Sequence, residues 1–153
     1  MKPIIDFAHQ VGAKIVLKTN LVSKKDDRYF LLNESLKRVV NKNFYYAGIY
    51  LGKARGTKFF PSFSLLTILA REKSNKIVLN HETAWLFICG RDIFRSGIVE
   101  IEGSKSKGAH TLVMNEHGEC LGFGRIVSHL DVKGSGMVVK NISDVGDFLR
   151  REV

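Results

Sequence analysis

The chain has 153 residues, 44% of them apolar and 25% charged, with two prolines and no repeated tract, a composition of folded protein that excludes disorder or a fibrous repeat as the main state. The longest uninterrupted apolar run is residues 84–89, far short of the roughly 20 that cross a bilayer, and residues 1–10 lack the apolar block of a secretory leader, so no membrane partner is expected. The net charge of +9 is lopsided: residues 1–75 hold 14 Lys and Arg against 5 Asp and Glu, whereas residues 76–153 hold 10 against 10. A basic excess confined to one half favours a polyanionic partner, inside cells most often nucleic acid; by itself it fits a solvated lysine-rich surface as well.

In chain order, Ile4, Phe7, Ala8 and Val11 share one helical face, with Pro3 suited to the first turn and Gly12 to the stop. The runs 14–19 and 28–32 flank a polar stretch, 23–27, and read as a hairpin. Asn33 or Ser35 caps a helix whose Leu36, Val39 and Val40 share a face. Residues 45–53 alternate Tyr46, Gly48, Tyr50 and Gly52 against Tyr45, Ala47, Ile49 and Leu51, a strand whose glycine-bearing side admits close backbone approach. Pro61 opens a helix rich in leucine. The polar stretch 71–76 is the expected joint between an N-terminal domain, 1–73, and a second domain, 74–153. Halves of about 75 residues bury only roughly 60% of the unfolded chain's surface, so the two are expected to pack on each other.

The second half reads mostly as strands: 77–79, 93–101 with an internal Gly97, 112–114, 120–127 and 137–140. A helix or buried apolar segment covers 82–88, a Ser/Lys loop 103–108, a hairpin turn 115–119, and a closing helix starts at Ser143. Short strands with small turns and no β-α-β rhythm imply a small barrel. Cys89 and Cys120, the two cysteines, sit in apolar surroundings without a Cys-x-x-Cys spacing and read as small core residues of a reducing compartment. The five histidines lack ligand spacing, so no metal is expected.

Residues 76–97, with the core Ile-Cys-Gly-Arg-Asp-Ile-Phe-Arg-Ser-Gly at 88–97, resemble the front of a PUA domain, and Gly-Glu-Cys-Leu-Gly-Phe-Gly at 118–124 resembles that module's glycine-bearing strand. Asp-Val-Gly-Asp-Phe-Leu-Arg-Arg-Glu at 144–152, together with Leu-Gly-Lys at 51–53, Lys-Phe at 58–59 and Leu-Leu at 65–66, resembles the nuclear import protein 7 family of large-ribosomal-subunit assembly factors. The resemblance implies an α+β fold, a small N-terminal α/β (pre-PUA) domain packed on a C-terminal PUA β-barrel. It also implies a cytoplasmic RNA-binding factor, nucleolar in a cell with a nucleus, that works on rRNA and meets ribosome-assembly or exosome-related proteins.

Candidate RNA-binding residues follow. On the closing helix, Arg150 and Arg151 fall opposite Val145, Phe148 and Leu149, and the planar arginine fork suits phosphate; read from the residues alone, they equally complement the helix C-terminal dipole. Arg91 and Arg95 flank a glycine turn whose backbone N–H groups could form an anion-binding concavity, or a plain tight turn. Lys105 and Lys107 lie in the Ser/Gly loop. Lys53, Arg55 and Lys58 accompany Phe59 and Phe60, a mixture of cations and aromatics that tracks a single strand through phosphate contact and stacking, although the phenylalanines serve equally as anchors for the helix that follows.

Enzyme signatures fail. The Gly-Ile-Tyr-Leu-Gly-Lys-Ala run at 48–54 has three residues between its glycines where a phosphate loop has four, and Ala54 where that loop needs Ser or Thr. The Gly-x-Gly pairs at 122–124 and 134–136 lack the third glycine of a dinucleotide fingerprint. No paired carboxylates emerge from spacing. The expectation is a non-catalytic RNA-binding protein without cofactor; the alternatives are a protein adaptor built on the PUA barrel and a PUA subunit of an RNA-modification or translation complex.

Overall fold

The computed structural model describes residues 1–15, 17–41 and 43–151; the side chains of Phe148, Leu149 and Arg151 lie outside that description. The opening helix, α1 (Lys2–Gln10), forms where the periodicity places it, and its Ile4, Phe7 and Ala8 are buried. The first hairpin is displaced from its expected position. Its strands are β1 (Val22–Lys25) and β2 (Arg28–Leu31), joined by Asp26 and Asp27, while Thr19–Leu21 makes a single 3-10 turn. The polar stretch thus supplies a strand as well as the turn, because Asp26 adopts φ 55, a left-handed conformation that Asp tolerates better than most residues and that two-residue hairpins require.

Asn33 caps α2 (Glu34–Val39), its side chain accepting the Leu36 N–H at 2.7 Å. Leu36 and Val40 pack on a small cluster around Phe30, but Val39 is 77% exposed, since the six-residue helix has room to bury only part of one turn. The strand expected at 45–53 begins later, as β3 (Ile49–Arg55), and β4 (Lys58–Pro61) returns beside it across a Gly56–Thr57 turn. Pro61 therefore ends a strand, and the next helix, α3 (Phe63–Arg71), is capped by Ser62, whose hydroxyl accepts the Leu65 N–H and donates to the Tyr50 carbonyl. The sheet order is β1-β2-β3-β4.

The second half comprises β5 (Lys76–Leu79), α4 (His81–Ile88), β6 (Ile93–Phe94), β7 (Ile98–Glu102), β8 (His110–Met114), β9 (Cys120–Ile126), β10 (Met137–Asp144) and α5 (Val145–Arg151). Gly97 splits the strand expected at 93–101, because Arg95–Gly97 forms a 3-10 turn that carries the chain from one edge of the sheet to the other. β10 is twice as long as expected and α5 starts two residues late, at the point where the buried Asp144 caps it by accepting the Asp147 N–H at 2.7 Å. The sheet order β6-β10-β9-β8-β5-β7 curls into an open half-barrel, antiparallel except between β5 and β8.

Its interior holds Ile77, Leu79, Phe87, Ile93, Val113, Ile126 and Val139. The outer face is covered too, which explains why β8 is buried along almost its whole length: Val113 points into the half-barrel, whereas Leu112 and its cross-strand neighbour Phe123 join α1, α3, β2 and β3 in a second cluster. That cluster crosses the expected joint at residue 74, and Phe7 meets Phe123 edge-on, ring centroids 5.1 Å apart.

The joint itself is stitched. Asn75 is buried; its N–H donates to the Val11 carbonyl, its side-chain amide to the His110 carbonyl at 3.0 Å, and its side-chain oxygen accepts the Ser104 N–H. Gly12 (φ +70) and Gly103 (φ +82) close over it, and a Cβ on either would run into the Asn75 amide, so glycine is required there on two counts. Cys120 is half-buried with its thiol pushed up to about 11 by burial. Cys89, expected in the core, is exposed, because it sits where the chain leaves α4.

Candidate nucleic-acid interface

The two halves meet along a groove of about 610 Å³, walled by α1, by the tip of the β3–β4 hairpin and by the outer face of the half-barrel. Lys2, Asp6 and Gln10 line it from α1 at a spacing of four, one helical stripe with Phe7 beside it. The hairpin contributes Lys58, Phe59 and Phe60, and the half-barrel His110 and Phe123. Strand alternation divides the two phenylalanines. Phe59 turns inward against Tyr29 and Phe7, with ring centroids at 6.2 and 6.1 Å, and Phe60 is 47% exposed. One is the anchor and the other is a free aromatic face.

The candidate cations fall into two groups. Arg55 and Lys58 pair across the two strands at the hairpin tip, both exposed, and neither forms a salt bridge among the described residues. Arg91 and Lys107 are exposed as well, and their side chains too have no ion pair among the described residues. The others are engaged within the protein. Lys53 pairs with Asp27 at 3.3 Å, and Lys105 with Asp131 at 3.2 Å. The Arg95 Nε–H donates to the Leu130 carbonyl. Arg150 is exposed, as expected, but it also donates to the Ile88 carbonyl at 3.0 Å and pairs with the buried Asp144 at 3.3 Å, tying α5 to the end of α4. Arg151 lies outside the described side chains.

The glycine turn after α4 also spends its donors locally. The N–H groups of Gly90 and Arg91 bond the carbonyls of Phe87 and Leu86, closing the helix in the manner of ordinary C-terminal caps and leaving neither group for an anion.

Sequence reading missed a basic row on the half-barrel. His110 and Lys140 both lie directly opposite Arg125, one on each side, so three side chains from β8, β9 and β10 stand abreast on one face. Arg125 and Lys140 are exposed. His110 has its pKa lowered, first by burial and then by the Arg125 charge. Phe123, two residues from Arg125 on the same face, lines the groove, so the row continues the groove's floor outward. Only the strand register brings these residues together, and a bulge in β10 between Asn141 and Ser143 hides that register from the sequence.

Among the described residues no group of three or more His, Cys, Asp or Glu is placed to hold a metal ion, and no helix is long and apolar enough to cross a membrane.

The curled sheet with its flanking helices has known relatives. The UPF0113 PUA domain family matches residues 75–153, just over half of the chain. The chain belongs to that family. A UPF0113 protein of Archaeoglobus fulgidus is 31% identical over 114 residues, a match spanning 72% of this chain and 64% of that protein. Among solved structures, a conserved PUA domain protein from Thermoplasma acidophilum is similar over 99% of this chain and 92% of its own, at 19% identity and a TM-score of 0.64. A hypothetical protein from Pyrococcus horikoshii is similar over 86% of this chain and 77% of its own, at 21% identity and a TM-score of 0.55. These likenesses establish the PUA fold of the second half, and the first of them extends over the N-terminal sheet as well.

Proposed function

We propose that this UPF0113 protein is a non-catalytic RNA-binding factor that acts in rRNA processing and large-ribosomal-subunit assembly, in the manner of the nuclear import protein 7 family, and works in the cytoplasm of a cell without a nucleus or in the nucleolus of one that has it. PUA domains generally bind RNA. The observation that carries the reading for this chain is a set of exposed cations, without an ion pair among the described residues, on the two elements that flank the groove: Arg55 and Lys58 at the hairpin tip, where Lys58 lines it, and Arg125 and Lys140 on the PUA sheet in the row that runs out from His110. Phosphates neutralised by such a set release counterions, so affinity depends steeply on salt.

The test is a titration of single-stranded RNA at several salt concentrations. Each neutralised phosphate contributes a slope of about −0.7 in log K against log salt, so Arg55→Ala with Lys58→Ala should flatten the slope by about 1.4. Absence of RNA binding at low salt defeats the proposal, and turnover of RNA by the purified chain defeats its non-catalytic part.

A second reading, a protein adaptor for assembly or exosome-related proteins, draws on a different surface. Trp85 and Leu86 on α4 are 63% and 44% exposed, and large aromatic side chains are enriched where proteins dock. A pull-down that Trp85→Ala abolishes while RNA binding stays intact would favour it.

A further inference from the structure

We infer that the groove between α1, the β3–β4 hairpin and the PUA sheet receives an unpaired base of the bound RNA, which stacks on Phe60 while Lys2 and Lys58 hold the flanking phosphates. The inference rests on the RNA-binding reading and assigns a specific role to a place where both halves of the molecule face the same ligand.

Three features of the groove favour a base over bare phosphate. Its volume of about 610 Å³ is larger than a phosphate needs and falls within the range of small-molecule clefts, roughly 300–1,000 Å³. Its walls mix rings with charges of both signs: the exposed Phe60, together with Phe7, Phe123 and His110, stands among Lys2, Lys58, Asp6 and Asp147. An exposed phenylalanine flanked by cations is the pairing that holds single strands, one part stacking and one part phosphate contact. Finally, the α1 stripe sets the acceptors of Asp6 and Gln10 beyond Lys2. A carboxylate repels phosphate, yet it accepts the amino or imino N–H of a base edge, so the stripe suits a nucleotide whose phosphate lies toward Lys2 and whose base lies toward Asp6.

A duplex cannot use such a site, because its bases are stacked and paired. The groove therefore selects single-stranded or bulged RNA, the form in which bases are most often recognised by proteins.

The experiment compares a fluorescently labelled 12-nucleotide single strand with a blunt duplex of the same sequence, bound by the full chain and by two variants. Phe60→Ala removes the stacking face at an exposed position, and Thr57→Trp fills the groove from the hairpin turn. Both should weaken single-strand binding about tenfold and leave duplex binding unchanged. In wild type, 2-aminopurine placed mid-strand should change in fluorescence on binding, and this change should vanish in both variants. Single-strand affinity unchanged in both variants, or equal losses for single strand and duplex, overturns the base site while leaving the RNA-binding reading in place. If the wild-type chain binds neither RNA at low salt, both fall, and that failure is visible before any variant is made.

Discussion

The hairpin tip and the corner where α4, β10 and α5 meet use the same residue type to opposite ends. At the corner, Arg150 is held by a backbone carbonyl and by Asp144, which is 2% exposed and also accepts the Asp147 N–H and the Asn141 amide. Arg55 and Lys58 at the tip stand in solvent without an ion pair among the described residues. The difference follows from the supply of carboxylates. Residues 76–153 carry as many acids as bases, and residues 1–75 carry 5 acids for 14 bases, so most cations of the first half find no acid of their own half to pair with. An arginine that is already held locally has less to gain from phosphate. Charge asymmetry along the chain thus separates the two regions: the corner's arginine serves the fold, whereas the tip's cations are open to the proposed RNA, as Arg125 and Lys140 are on the PUA sheet.

The sharpest way to break this comparison is to remove the corner's buried acceptor. Asp144→Ala deletes a helix cap, leaves the Asn141 amide short of a partner and leaves Arg150 held by the Ile88 carbonyl alone, which should cost about 2–3 kcal/mol and lower the melting temperature by about 5–10 °C. The salt slope of RNA binding should stay that of wild type, provided it is measured below the variant's melting range. A flattened slope would mean that the corner contacts RNA after all.

Arg150→Ala is the milder version. The ion pair is half-exposed on the arginine side, so solvent takes over much of its strength, and a loss of about 1 kcal/mol is expected by denaturant titration. Arg55→Ala with Lys58→Ala should behave in reverse, changing stability by no more than about 0.5 kcal/mol while weakening RNA binding. If Arg150→Ala reduces affinity as much as the tip variant does, the two regions are not divided in the way their geometry indicates.

The same contrast marks what the sequence could reveal. Opening-helix periodicity, Asn33 as one of two candidate caps and the barrel character of the second half were legible because each depends on neighbours within a few residues, whereas the split between an inward Phe59 and an exposed Phe60 was left open. The positions of the charges along the chain were legible as well. Their partners were not: Arg150 reaches back 62 residues to Ile88, and Asn75 spans 35 residues to His110. The groove, the basic row through Arg125 and the joint stitched by Asn75 all arise from such pairings, which no local pattern encodes. Composition placed Cys89 inside, since its neighbours are apolar, but position at the helix end put it outside.

The smallest effect lies where the two regions meet, at His110. Its pKa is lowered by burial and by the Arg125 charge, so the folded protein resists a proton that the unfolded chain accepts near the ordinary value of about 6.5. As pH falls from 6.5 toward the lower folded value, the unfolded state binds more protons and stability decreases; above 6.5 this contribution is constant. On the proposed reading RNA reverses the sign of the electrostatic term, because a phosphate bound in the groove would offset Arg125 and favour the charged imidazole. Lowering the pH from 7.5 to 5.5 should therefore destabilise the free protein slightly while tightening its grip on single-stranded RNA. His110→Gln should reduce both trends, read by thermal melting and by anisotropy at each pH. Tightening that survives the substitution would assign the proton to another group, and melting that shifts equally in variant and wild type would mean that the environment of His110 does not couple to folding.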